Sequence, residues 1–540
     1  MLHLKLKISE ILSWNGFQIE TASPDTSSVF GLAQFLSTLA MLVVVFNVSD
    51  FRYRYRLYVR RYNIQYVAII ASIVIACLLL LTEIWFQNTL PIPHCLNHYD
   101  NIKIILAAVF ISFIIYIVFI CFLSPARLRR KNAVQFFNTT TRLIHQGNKD
   151  RLAAIAEDLS YTIDDIFRLA SKVKFHKSPS KPPVEEVCAY DLLLLLADRR
   201  FCNLIVDRDP GFAIRCFLLA TEYPGVPFAQ FSRNIGEEFV VNSSSAFYQE
   251  ESGYSSGYFG YAKPITGAVF GSYELIERCA TEGASPLDLH YSVIDSLDSI
   301  QIEGFKRAAL SFFDSYLKKN KYQHHSYAFA RLIDSMISCA RSIYKINGQS
   351  IDTHRSSEYA RFSTVADFFK EAINLLDKSG IKARSHKPSE RMNYDVYDTL
   401  AHAILELISL AANVNAASFI CWHIQHNITW NILFSFNNSY AYKILRFKVR
   451  RLVYNEIVQN SGNFVGAHYL GFCLHVLGLT SGDRHQTFGR EEYALRLCVI
   501  NWTKKNYKTL LTDHPKVAQA CLHGSVTYDQ EKHQLGLRPN

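Results

Sequence analysis

The densest group of side chains able to do chemistry in this chain lies in Tyr442–Tyr454. There Lys443, Arg446, Lys448, Arg450 and Arg451 place five cations within nine residues, with no acid among them. Read as a helix, the segment carries an apolar stripe of Tyr442, Leu445, Val449, Leu452 and Val453. Lys443, Arg446 and Arg450, at i, i+3, i+7 spacing, then share one outward side, flanked by Lys448 and Arg451. A face of that kind recognises phosphate, so these five residues are the candidate binding site for an acidic, nucleotide or nucleic-acid ligand, or for anionic lipid. A second basic group, Arg52, Arg54, Arg56, Arg60 and Arg61, is interleaved with tyrosines over ten residues. These arginines are assigned to the membrane surface, where each gains about 1 kcal/mol near anionic headgroups. Docking of an acidic or phosphate-bearing ligand is the competing reading.

Two further constellations would imply catalysis. Gly253-Tyr-Ser-Ser-Gly257 matches G-x-S-x-G, in which a serine is held on a strained turn between a buried strand and a helix. Here Ser, Asn, Gln and Glu crowd the preceding stretch and Pro264 follows where a helix should run, so Ser255 is not expected to be a nucleophile. Histidines gather in the C-terminal half at His402, His423, His426, His468 and His475. His423 and His426 share a helix face at a spacing zinc or iron can use. No HExxH or ExxH stands beside them, and the expectation is polar residues satisfied within a helical core, with no metal and no cofactor. Neither GxxxxGK[ST] nor GxGxxG occurs, which disfavours NTPase and dinucleotide chemistry.

The elements that must position these groups begin with three apolar runs free of charge, Val29–Val48, Ile64–Thr82 and Ile104–Leu123. Each has the roughly 20 residues that a helix needs to cross about 30 Å of hydrocarbon, so three transmembrane helices are expected. Both basic loops, Arg52–Arg61 and Arg127–Lys131, should stay cytoplasmic, with the Pro91/Pro93 loop and the N-terminus outside. The runs hold no ionisable residue at their centres, which argues against ion-coupled transport by a single copy.

At 540 residues the chain is long enough for a membrane part and a large soluble part. Its net charge is +10, and beyond residue 124 there are 49 Lys/Arg against 41 Asp/Glu, a mild excess far from that of a dedicated nucleic-acid binder. Twelve cysteines occur without a CxxC pair and read as small buried hydrophobes. Residues 1–28 form an outer, interfacial or strand-like segment, and 29–124 the membrane domain. A juxtamembrane helix pair over 125–175 turns at Gly147, with Asn148 as cap and Leu152, Ile155, Ala156, Leu159, Ile163, Ile166 and Phe167 on the buried face. A proline-rich linker, 176–187, precedes an all-α domain over 188–521 and a tail over 522–540. The clearest helical periodicities of that domain are Val187–Arg199, Pro210–Glu222, Gln301–Lys319, His324–Ile346, Ala360–Lys378, Asn393–Ala412, Ala416–Phe434, Tyr440–Val458, Phe464–Leu479 and Glu491–Leu511. Phe228–Phe270, rich in Gly, Ser and Tyr, reads as a long irregular loop. The fold class is therefore all-α, with three spans followed by a helical bundle or irregular solenoid in the cytosol.

That layout is the one expected of a multi-pass protein of the prokaryotic inner membrane. Its cytosolic domain would bind or sense, with a homo-oligomer and the bilayer as partners. A stress or anti-phage effector acting on the membrane through oligomerisation is a concrete form of it. The alternative is an enzyme of the membrane surface, hydrolytic or metal-dependent, using the Gly/Tyr-rich loop or the histidine cluster.

Overall fold

A computed structural model describes residues 19–21, 35–37, 39–40, 51–61, 64–87, 91–93, 99–173, 182–250, 257–319, 325–348, 356–389, 394–416, 418–434, 438–478, 490–522, 526–529 and 534–537. The chain is mostly helical, as its periodicities require. Strands are confined, among the described residues, to two antiparallel pairs: Ile19–Thr21 with Pro91–Pro93, and Val526–Asp529 with Gln534–Leu537. By internal contacts it divides into two compact units, Met1–Phe212 with Tyr223–Val226, and Ala213–Glu222 with Pro227–Asn540.

In the first unit, Ile64–Gln87 and Tyr99–Val118 are long apolar helices that pack on each other. Tyr66–Trp85 is long and apolar enough to cross a membrane, with mean hydropathy 2.7, and only 22% of that apolar stretch is buried. A core helix of a soluble protein would hide such a surface, whereas Ile69, Ile70, Ile73, Val74, Leu81 and Ile84 stand exposed. The apolar helix Ile104–Val118 is shorter than that length. Most of the first apolar run lies outside the described residues; within it Phe35 is buried against Ile75, Leu79 and Phe110, its ring 4.8 Å from that of Phe110. Among the described residues one helix thus meets the length and composition of a span by itself, where three were expected over the whole chain.

The third run ends in a wide π-helical turn, Phe119–Leu123, where the Ser124 amide donates back to the Phe119 carbonyl before Pro125 closes the helix. Three short helices follow where a pair was expected: Ala133–Gln146, Lys149–Ser160 and Ile163–Ala170. Gly147 takes φ +67° between the first two, a left-handed turn suited to glycine. The Asn148 side chain accepts from the amides of Asp150 and Arg151, as a cap should. All seven predicted stripe residues are buried. Residues 174–181 of the proline-rich segment lie outside the described residues. Val184–Leu196 then packs on Ala133–Gln146 and Ile163–Ala170, and Arg199–Arg208 on Lys149–Ser160, which carries the first unit as far as Phe212.

In the second unit, Ser299–Lys319 packs along Ser357–Ser379, Val396–Ala412 along Tyr440–Gln459, and Tyr440–Gln459 against Phe464–Leu477 and Arg490–Asp513. Caps mark several helix starts: Ser326, before the helix Tyr327–Ala340, bonds the Phe329 amide, Ser356 that of Tyr359, and Asp395 forms a capping box with Asp398. Phe228–Phe270 is not the single irregular loop expected. Ala229–Val241 is a helix in which Glu237 and Glu238 are themselves buried, so its pattern reads as polar although it belongs to the core. Gly236 is required there, because a Cβ would fall on the Pro286 backbone. After it the buried Glu250 carboxylate accepts from the amides of Ile265 and Thr266, at 2.6 and 3.0 Å, and caps the turn that Pro264 opens. Ala416–Phe434 is likewise broken into Ser418–Trp422, a π turn at His423–Thr429 and a 3₁₀ turn at Trp430–Ile432. The Thr429 hydroxyl takes up the Ile424 carbonyl at 2.8 Å, and Trp430 reaches Glu492 at 2.6 Å.

Candidate functional site

The first unit brings the basic loops Arg52–Arg61 and Arg127–Lys131 together, as the Asn132 bond to the Val59 carbonyl and the Arg60 bond to Ser124 show. Phe51–Tyr58 is a helix, and it packs on Lys149–Ser160 and on the Phe119–Leu123 turn. Arg56 is 4% exposed and lies against Asp158, which is 1% exposed. Its Nε donates to both carboxylate oxygens at 3.0 and 2.9 Å, and its Nη2 to Oδ1 at 2.8 Å. Arg52 adds a bond from Nε to Oδ1 of Asp158 at 3.2 Å and an ion pair to Glu157 at 2.5 Å. A planar guanidinium matches a carboxylate in this forked way, and the second arginine adds a further cation on Oδ1 of the same carboxylate. Beside the pair, the buried Tyr55 hydroxyl lies 2.9 Å from Thr140 and its ring meets Phe136 edge-on at 6.3 Å. Burial pushes the Tyr55 phenol well above its ordinary value, so it stays neutral.

This corrects the assignment of all five arginines to the membrane surface. Arg56 cannot meet a headgroup, because it is consumed by Asp158 inside the protein; Arg52 is mostly engaged in the same way. Arg54 is half-buried, and Arg61 is exposed. Arg60 turns to the end of the apolar helix, donating to the Ser124 hydroxyl at 2.9 Å. The signal for the clamp was an acid, Asp158, three residues from Ile155 and adjacent to Leu159, on the buried stripe of the helix Lys149–Ser160. A carboxylate so placed needs a cation.

Next to Arg60, a cavity of about 230 Å³ is lined by Phe119, Leu123, Ser124, Arg127, Arg129 and Asn132, with Pro125 at its edge. Residues 125–129 belong to no helix or strand, and their burial alternates: Ala126 and Leu128 are buried while Arg127 and Arg129 are exposed. Asn132 holds the turn, its Nδ2 donating to the carbonyls of Val59 and Arg127 and its Oδ1 accepting from the Arg129 amide at 2.8 Å. The Leu128 amide is anchored on the Thr162 hydroxyl at 3.0 Å. Among the described residues the guanidinium groups of Arg127 and Arg129 take part in no ion pair or hydrogen bond, whereas Arg130 lies 3.7 Å from Glu185. Read as sequence, Arg127–Lys131 is only an orientation signal; the alternation with Ala126 and Leu128 is what marks a positioned pair.

In the second unit the basic helix forms as Tyr440–Gln459, and Tyr442, Leu445, Val449 and Val453 of its stripe are buried, with Leu452 half-buried. Its five cations do not share an outward face. Lys448 is 0% exposed, its Nζ 2.5 Å from Asp398 and 2.9 Å from the Lys387 carbonyl. Arg450 pairs with Glu491 at 2.8 Å, and Arg446 donates to the Leu433 carbonyl and to Asn438. Lys443 and Arg451 remain exposed. Neighbours cover this helix on more than its apolar stripe, since Arg490–Asp513 and Val396–Ala412 both pack on it, so i, i+3, i+7 spacing does not leave its cations facing solvent together. Lys448 instead completes a buried node: burial tends to raise the Asp398 carboxyl, but Lys448 and the Ser389 amide hold it below its ordinary range, while burial keeps neighbouring Asp395 above it.

The histidines are dispersed. His402 meets the Tyr394 hydroxyl at 2.7 Å, His475 bonds Gln425 at 2.6 Å, and His426 stacks on Trp422 at 4.4 Å while His423 faces Tyr359. No group of three or more His, Cys, Asp or Glu able to hold a metal ion occurs among the described residues. Of the G-x-S-x-G stretch only Gly257 is described; Ser255 lies outside. A larger cavity of about 350 Å³ is lined by Asp288, Asp295, Arg331 and Arg341, but Arg331 already pairs with Asp288 at 2.7 Å and Arg341 with Glu406 at 3.0 Å. Comparison with protein families, curated proteins and solved structures finds no match to the chain.

Proposed function

We propose that the protein is a multi-pass protein of the prokaryotic inner membrane, with three spans and its N-terminus outside, whose cytosolic helical region binds or senses and acts back on the membrane. The observation that carries this reading is the clamp of Arg52 and Arg56 on Asp158. It ties the segment preceding the apolar helix Ile64–Gln87 to the helices that follow the apolar helix Tyr99–Val118, so a change in the juxtamembrane helices would reach the spans directly. Orientation has support that does not rest on charge counting. Ile19–Thr21 pairs with Pro91–Pro93, which fits an N-terminus on the same side as the loop after Ile64–Gln87. The arginine helix, at the other end of Ile64–Gln87, packs with Lys149–Ser160, which fits both basic clusters on one side. Oligomerisation that perturbs the bilayer, as a stress or phage-defence effector would use, is the proposed output.

Reporter fusions placed after Asp50, Asn97 and Ala133 test the reading. They should report cytosol, periplasm and cytosol in turn. A periplasmic signal at Ala133 would refute it.

A further inference from the structure

The cavity beside Arg60 has a composition that points to a ligand. Three arginines, Arg60, Arg127 and Arg129, line it, and among the described residues no carboxylate does. Among the described residues two of the three, Arg127 and Arg129, show no ion pair or side-chain hydrogen bond. Like charges held together in this way repel, and the fold holds them so by tertiary contacts: the Asn132 clip, the Leu128–Thr162 bond and the burial of Ala126 and Leu128. The opposite wall is apolar. It is the last turn of the third apolar run, with Phe119 54% and Leu123 70% exposed. A polar, trebly cationic pocket therefore opens directly beside an uncovered hydrocarbon-like surface.

We infer that this pocket binds the phosphate of an anionic phospholipid, with Arg127 and Arg129 as the ligand-contacting pair, Arg60 and Ser124 at its back, and the acyl chain along Phe119 and Leu123. Arginine suits the task because its planar donors engage two phosphate oxygens at once. Basic pockets at the cytoplasmic end of membrane helices recognise anionic headgroups by this chemistry. The volume, about 230 Å³, admits a phosphate with part of its glycerol rather than a large polar ligand. A free phosphate ester would satisfy the same arginines but would leave Phe119 and Leu123 uncovered, so the lipid is the occupant that accounts for both walls. The inference rests on the membrane reading above and moves headgroup recognition from Arg52 and Arg56, which are spent on Asp158, to Arg127 and Arg129.

The full-length protein in mild detergent would be melted with short-chain phosphatidylglycerol, short-chain phosphatidylcholine, and glycerol 1-phosphate at equal concentrations. Phosphatidylglycerol should raise the melting temperature and phosphatidylcholine should not. R127Q/R129Q should melt like the parent without lipid, since both side chains are exposed, yet bind phosphatidylglycerol about 30-fold more weakly. K443Q/R451Q, which removes two exposed cations elsewhere, should bind as the parent does. An undiminished shift in R127Q/R129Q, or none in the parent, would overturn the site. A shift by glycerol 1-phosphate as large as that by the lipid would overturn the lipid as its source. Carbonate washing of the cell membranes separates the two layers of the argument. A protein that stays with the membrane but shows no lipid-dependent shift refutes the pocket alone; one that washes off refutes the membrane reading beneath it.

Discussion

Replacing Asp158 with asparagine tests the clamp most directly. The carboxylate accepts three bonds from Arg56 and one from Arg52, between 2.8 and 3.2 Å, and is 1% exposed. An amide of the same shape keeps the volume but loses the charge and turns an N–H group toward the guanidinium. The buried Arg56 is then left without its counter-ion, a change that costs about 3–5 kcal/mol. For a unit of this size that corresponds to a fall in melting temperature of about 6–20 °C. Arg52→Gln should cost less, under about 1 kcal/mol, because its side chain is 22% exposed and Glu157 is more exposed still. The paired change Arg56→Met with Asp158→Leu removes both charges together and should recover most of the loss, since an apolar pair of similar volume is about neutral in such a site. Thermal unfolding of the full-length protein in detergent gives the magnitudes. Tryptic cleavage within residues 52–61 gives a second readout, as release of the arginine helix exposes its peptide bonds. Two results would refute the reasoning: an Asp158→Asn protein that melts with the parent, or a double variant no more stable than Asp158→Asn.

Two predictions concern the second unit. Lys448→Met should destabilise it by about 3–5 kcal/mol, because Asp398 is left buried beside Asp395 without a cation, whereas Lys443→Gln with Arg451→Gln should stay within about 0.5 kcal/mol per site; denaturant melts showing the reverse order would restore an outward cationic face. Burial holds His402 and His468 below their ordinary value of 6.5, so the folded state favours the neutral rings. The unfolded chain takes up those protons first. Stability is thus fully present above that value and falls as pH drops toward the lower folded values. Melts at about pH 7.5 and about pH 5.5 should show the loss, and His402→Gln with His468→Gln should reduce it; an equal loss in that double variant would exclude the histidines as its cause.

Much of this protein was decided locally. The helices Pro210–Glu222, Ser299–Lys319, Ser357–Ser379 and Val396–Ala412 lie within three residues of their periodic stretches. A stripe at 3.6-residue spacing with a capping residue in front is complete information about a helix that buries one face. The same holds for Gly147 and Asn148, whose turn and cap need only neighbouring amides. What sequence could not decide is which polar residues turn inward. By sequence Lys448 falls on an outward face, Arg56 at the membrane surface, and Glu237 and Glu238 in an irregular loop, yet all four are buried. For Arg56 and Lys448 the partner segment carries the opposite charge, 102 and 50 residues away. Cation clusters at Arg52–Arg61 and Lys443–Arg451 therefore looked alike as strings of charge, and like the run at Arg127–Lys131. Only tertiary structure separates them, because burial and ion pairing are properties of the partner: Asp158 and Asp398 consume Arg56 and Lys448, while the irregular segment at 125–129, pinned by Asn132 and Thr162, leaves Arg127 and Arg129 lining an open cavity.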